Sequence, residues 1–172
     1  MHREVSVSQS RSNLAFLLFL MALMLKPANA NEKQEHFKWN KRPTIVMCYR
    51  DFPMHLLFRA VEFWEIRGHK FDDVILTSPV GICAPDYVPD TIIIRRAPKG
   101  KLKGGQIGVT QRVSDGDGNM IASVIWFDHY KLNEPYIIEH ELGHGLGYAH
   151  VNYKNHVMNP WSNNMGPEFW IP

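Results

Sequence analysis

The sequence is short of three things: charge of one sign, cysteine and long apolar runs. Nineteen Lys and Arg stand against 17 Asp and Glu, a net charge of +2. Arg3, Glu4, Arg11 and Lys26 all lie in the first thirty residues, so residues 31–172 are close to neutral. Neither nucleic acid nor an anionic membrane surface is expected as a partner, because both need a concentrated basic face. Two cysteines, Cys48 and Cys83, are too few for a cysteine-built metal cluster or a disulfide-dense scaffold. The one long apolar run, residues 14–25, has twelve residues, where a membrane span needs about twenty. No internal repeat or low-complexity tract breaks the chain.

That run has another reading. It comes after a polar leader carrying Arg3 and Arg11 and precedes Ala28-Asn29-Ala30, small residues suited to cleavage after Ala30. Residues 1–30 are expected to be a signal peptide, with an uncleaved anchor as the alternative. Residues 31–172 are then long enough for a single domain with its own core. Export would make the protein secreted or periplasmic, with no stable membrane association after cleavage, and a monomer is expected. In an oxidising compartment Cys48 and Cys83 most simply form one disulfide; the alternative is a pair of buried thiols.

The densest chemical signal is His140-Glu141-Leu142-Gly143-His144-Gly145-Leu146-Gly147-Tyr148-Ala149-His150. Residues four apart share a helix face, so His140 and His144 can aim two imidazoles at one metal ion while Glu141 borders the same space. An unbroken helix would carry His150 to its far side. The helix must therefore stop, and Gly147 stands where a residue of positive φ is needed to turn the chain. His150 can then fold back as a third ligand. Three imidazoles leave one tetrahedral position of Zn²⁺ open, the pattern of catalytic sites.

His140, Glu141, His144, Gly147 and His150 match H-E-x-x-H-x-x-G-x-x-H, and the chain thereby resembles the metzincin metallopeptidases, most closely the matrixin-like group. The resemblance implies a Met-turn, and Val157-Met158-Asn159-Pro160 looks like one, with Met158 as a floor beneath the metal. It implies an α/β (α+β) zincin-like fold: a twisted mixed sheet with an antiparallel edge strand, a backing helix and a zinc-binding helix. It also implies peptide hydrolysis by a zinc-activated water with Glu141 as general base. An extended peptide or protein substrate would lie along the edge strand, held by its main chain.

The remaining pattern is compatible with that order. Residues 44–49, 73–77, 91–96, 106–113 and 120–127 read as strands, and residues 53–67 as a helix buried along Leu57, Ala60, Val61 and Trp64 and ended by Gly68. The strand-helix-strand unit at 44–77 predicts parallel pairing. Asn133 is expected to cap the zinc helix, with Pro135 in its first turn. Asp115, Asp117 and Asn119 fall at calcium-ligand spacing, yet Met120 and Trp126 replace the glycine and glutamate a calcium loop needs, so a hairpin turn without calcium is expected. Glu139 and His156, near the site in sequence, either support the metal ligands or are polar surface residues, the latter being the expectation, and Asp128 and His129 receive no catalytic role. Trp161, Phe169 and Trp170 could wall a substrate pocket or fill core. Three other functions remain open from sequence: a non-catalytic peptide-binding module with structural zinc, a metal-sequestering protein, and a zinc hydrolase of a non-protein substrate.

Overall fold

A computed structural model describes residues 37–76 and 80–171; the expected signal segment at 1–30 lies outside the described residues. Among the described residues, six strands make one sheet: β1 (Lys38–Trp39), β2 (Thr44–Met47), β3 (Val74–Ile75), β4 (Thr91–Arg96), β5 (Gly108–Ser114) and β6 (Asn119–Phe127). Their order is β1-β6-β4-β2-β3, every neighbouring pair parallel, and β5 pairs antiparallel with β6. The result is a mixed α/β fold on a mostly parallel sheet. Among the described residues, three α-helical segments accompany it: α1 (Met54–Ile66), the single turn α2 (Val80–Cys83) and α3 (Ile137–Gly145).

Period-two alternation decides which layer each strand residue joins. Ile45, Met47, Ile92, Ile94, Ile125 and Phe127 face one core, shared with Leu57, Ala60 and Trp64 of α1 and Leu142 of α3. Val46, Ile93, Val124 and Trp126 point the other way, into a smaller cluster with Ile82 and Val88. Such near-continuous Ile/Val strands suit a sheet covered on both faces. Each fully buried Leu, Ile or Phe contributes about 1.5–3 kcal/mol, which makes the face under α1 and α3 the main source of stability. A disulfide between Cys48 and Cys83, Cα–Cα 5.7 Å, ties the chain after β2 to α2 on the second face. No helix among the described residues is long and apolar enough to cross a membrane.

The parallel β2–β3 pair spans α1 as the strand-helix-strand pattern predicts. The β5–β6 hairpin turns at Asp115, whose carboxylate accepts from the backbone N–H groups of Asp117 and Asn119 and from Asn119 Nδ2 at 2.8–2.9 Å. Its oxygens serve the turn. Two short elements, β1 and α2, have no sequence-level signal. The start of α3 corrects an expectation. Its N-cap is Tyr136, at φ 60°, and Asn133 and Pro135 lie ahead of the helix. Local turn chemistry takes those residues first: Asp128 caps the 3-10 turn at His129–Lys131, and the Glu134 N–H bonds Lys131 O, so helical bonding starts only with His140 N–H to Tyr136 O.

Candidate metal centre

Helix α3 lies with its inner face on α1 and the sheet, and Ile138 and Leu142 are almost wholly buried there. Its C-terminus closes with two reversed bonds, Gly147 N–H to His144 O and Tyr148 N–H to Gly143 O, both 3.0 Å. This is the Schellman arrangement, and it requires a left-handed residue at Gly147, found at φ 105°. A Cβ there would also strike the carbonyl of Phe37, whose N–H bonds Gly147 O. Any other residue at 147 would therefore open the turn that returns His150 to the helix. The motif's glycine does what the spacing requires.

The three imidazoles converge. His144 Nε2 is 3.1 Å from His140 Nε2 and 3.1 Å from His150 Nε2. Nitrogens placed tetrahedrally at 2.0–2.1 Å around one zinc ion stand about 3.4 Å apart, close to the observed spacing. Hydrogen-bond logic strengthens the fit. His140 Nδ1 is 2.8 Å from Val157 O and His144 Nδ1 2.7 Å from Tyr148 O, and a carbonyl can only accept. Both Nδ1 atoms therefore carry the proton, and in the neutral rings the facing Nε2 atoms present lone pairs to each other. Burial opposes relieving that repulsion with protons: it holds His140 down at about 4, His144 well below its ordinary range, and His150 lower as well. A divalent cation relieves it. These three residues could hold a metal ion, and an all-imidazole donor set is compatible with zinc.

Glu141 lies beside them, 4% exposed and aimed beneath β5. Thr110 Oγ1 is 2.6 Å from Glu141 Oε2 and 3.1 Å from the Glu141 carbonyl, and it donates to the nearer carboxylate oxygen. Burial pushes the carboxyl up to about 7, against the lowering effect of that hydrogen bond. Gly108 makes the approach of strand to carboxyl possible, since a Cβ built there falls 2.7 Å from Glu141 Cγ and Oε1. The histidines and Glu141 open onto a cleft of about 560 Å³. One wall is β5 from Gly108 to Arg112; the other includes Pro160, Trp161 and Met165.

The segment after His150 underpins the centre. Val151 N–H bonds Met158 O at 2.9 Å, and Val157 O accepts from His140 Nδ1, so one turn fixes His140 and the chain beside His150. Met158 is fully buried, and its sulfur lies so close to Gly143 that a Cβ there would collide with it. Two polar residues read as surface from sequence are buried. Glu139 is 1% exposed because Arg59 reaches it from α1 at 2.7 Å while Trp64 Nε1 bonds its carbonyl at 2.8 Å. His156 is 0% exposed, enclosed by the Met158 turn and Trp170. The C-terminal aromatics divide. Trp161 stands exposed at the cleft wall, Phe169 packs on Trp64 and Tyr148, and Trp170 packs on His156 and Tyr153. Asp128 caps its 3-10 turn and His129 Nδ1 bonds the Tyr49 hydroxyl, both apart from the metal-facing nitrogens. Sequence reasoning missed Thr110 and Gly108, which lie 31 and 33 positions before Glu141 with no local pattern to link them. No protein-family model matches this chain, and no curated protein matches it.

Proposed function

We propose that the chain is an exported, metzincin-like zinc endopeptidase, most similar to the matrixin-like group, that cleaves extended peptides or proteins. The reading rests on one observation: a buried and a half-buried imidazole, His140 and His144, face each other lone pair to lone pair at 3.1 Å, with the third closing on them and Glu141 beside the same cleft. A purely structural zinc needs no carboxyl held at the edge of its ligand set. The disulfide agrees with an oxidising compartment.

When bound by His140, His144 and His150, zinc supplies a Lewis acid that polarises a carbonyl and makes water acidic near neutral pH. The chain's own residues supply the rest. Glu141, its carboxyl raised to about 7, is matched to taking and returning a proton at neutral pH. Thr110 fixes Oε2 of that carboxyl, which leaves Oε1 to face the reacting groups. Strand β5 pairs with β6 along one side, and its other side offers backbone groups to which an extended peptide can add as a further strand. Pro160, Trp161 and Met165 then wall the space for a side chain next to the cleaved bond and exclude water from it.

The test is digestion of a peptide library by the zinc-loaded protein, with and without a chelator, beside the Glu141→Gln variant. Chelator-sensitive cuts by the wild type alone, with zinc retained by the variant, are expected. Zinc binding without cuts in any peptide would overturn the endopeptidase reading, and equal turnover by the Gln variant would remove Glu141 from the mechanism.

A further inference from the structure

The peptide unit joining Val157 to Met158 is gripped on both sides. Its carbonyl accepts from His140 Nδ1 at 2.8 Å, and its N–H donates to His156 Nδ1 at 3.0 Å. A backbone N–H can only donate, and two of them, Met158 N–H at 3.0 Å and Trp170 N–H at 3.2 Å, point at the two ring nitrogens; a neutral imidazole accepts from one, and the shorter bond places the lone pair on Nδ1 and the proton on Nε2. That nitrogen is 3.1 Å from Trp170 O and 3.2 Å from Trp170 N, and the carbonyl is the partner able to accept. In that tautomer three bonds run head to tail: His140 to the peptide carbonyl, the peptide N–H to His156 Nδ1, and His156 Nε2 to Trp170 O.

We propose that His156 is a positioning residue for the metal centre, acting on His140 through the Val157–Met158 peptide. Bonds aligned head to tail polarise one another. When His156 Nδ1 accepts the hydrogen bond of the Met158 N–H, the Val157 carbonyl becomes more negative and a better acceptor for His140 Nδ1–H. Electron density then shifts to His140 Nε2, the ligand atom, and the ring is held in the tautomer and orientation that ligation needs. His156 is suited to this because it is rigid. It is completely buried, packs edge-on against Trp170 with centroids 4.4 Å apart, and lies against Phe169 at 5.7 Å. A water could replace one of these bonds at an exposed site; no water is needed where both ring nitrogens already have protein partners. The sequence position, two residues before Met158, lets the ring reach back to the amide of its own turn.

This rests on the metal-binding reading of the three histidines and not on the peptidase reading. The test uses the full mature protein and measures zinc affinity by competition with a chromophoric chelator, and the visible absorption of the Co²⁺-substituted protein. His156→Gln keeps a group near Trp170 and loses the acceptor for Met158 N–H; it is expected to bind zinc about 10–100-fold more weakly, the range for partners that support metal-ligating histidines, with a shifted Co²⁺ spectrum. His156→Asn keeps an oxygen two residues before the amide, an arrangement asparagine readily forms, and is expected to restore affinity and spectrum. A merely structural role would weaken both variants alike and leave the spectrum of the folded fraction unchanged, which would overturn the proposal. Wild-type affinity and spectrum in His156→Gln would overturn it too. Failure of the wild type itself to bind zinc would instead overturn the metal reading beneath it.

Discussion

Replacing Gly108 by alanine adds one methyl group at the point where β5 crosses Glu141. The new Cβ would fall 2.7 Å from Glu141 Cγ and Oε1 and 2.8 Å from Cδ. Ordinary carbon contacts are about 3.5–4.0 Å, so the carboxyl must retreat by roughly 1 Å or the strand must lift. Either movement stretches the 2.6 Å bond from Thr110. A misplacement of this size at a catalytic group costs on the order of 100-fold in turnover, while the overpacking itself costs about 1–3 kcal/mol of stability. The three atoms nearest the added Cβ all belong to Glu141, so the strain falls first on that side chain and one equivalent of zinc should still bind. The assay is kcat and KM for a chelator-sensitive peptide, beside zinc stoichiometry and thermal unfolding. A fall in kcat with zinc retained is expected. Wild-type kcat in a folded, zinc-loaded Gly108→Ala protein would refute the placement of Glu141 under β5 as the reason for its catalytic competence.

Two further outcomes are expected from the same residues. Thr110→Val removes the hydrogen bond that opposes the effect of burial on the Glu141 carboxyl, which stands at about 7 with that bond in place; since the base must be ionised, the acidic limb of the kcat profile should move to higher pH, and an unmoved limb would count against Glu141 as the titrating base. Acid should also destabilise the metal-free protein. Burial depresses His140 to about 4 in the folded state, whereas the unfolded chain binds that proton near 6.5. The stabilising contribution is therefore whole above about pH 6.5 and is lost as pH falls through the folded value, about 3 kcal/mol at His140 alone. Denaturant midpoints of metal-free protein between pH 7 and pH 4 measure it, and a flat profile would contradict the burial of neutral rings.

How much of the fold and the site is legible in the sequence depends on the range over which each feature is encoded. The three histidines that could hold a metal sit within eleven residues, and helix periodicity plus one glycine carries them from sequence to geometry. Strand β4, all Ile and Arg after a threonine, is equally local and has the bounds its pattern predicts. The burial of Glu139 is not legible, because it depends on Arg59 and Trp64, eighty and 75 positions away on α1. His156 is hidden for a related reason: its second partner, Trp170, arrives from a return segment that the pattern of side chains does not announce. The pattern places the start of α3 too early because Asn133 is a good cap in isolation, while Asp128 and Lys131 commit the preceding residues to tighter turns. Thr110 and Gly108 meet Glu141 only through the register of a hairpin strand across a helix.

Zinc titration of the metal-free mature protein, beside the His150→Ala variant, tests the central claim most directly. One equivalent should bind the wild type, and the variant should bind more than about 100-fold more weakly, since losing a ligand costs more than losing a partner that supports one. Equal affinity in the two proteins, or no zinc bound by the wild type, would contradict a centre built on three converging histidines.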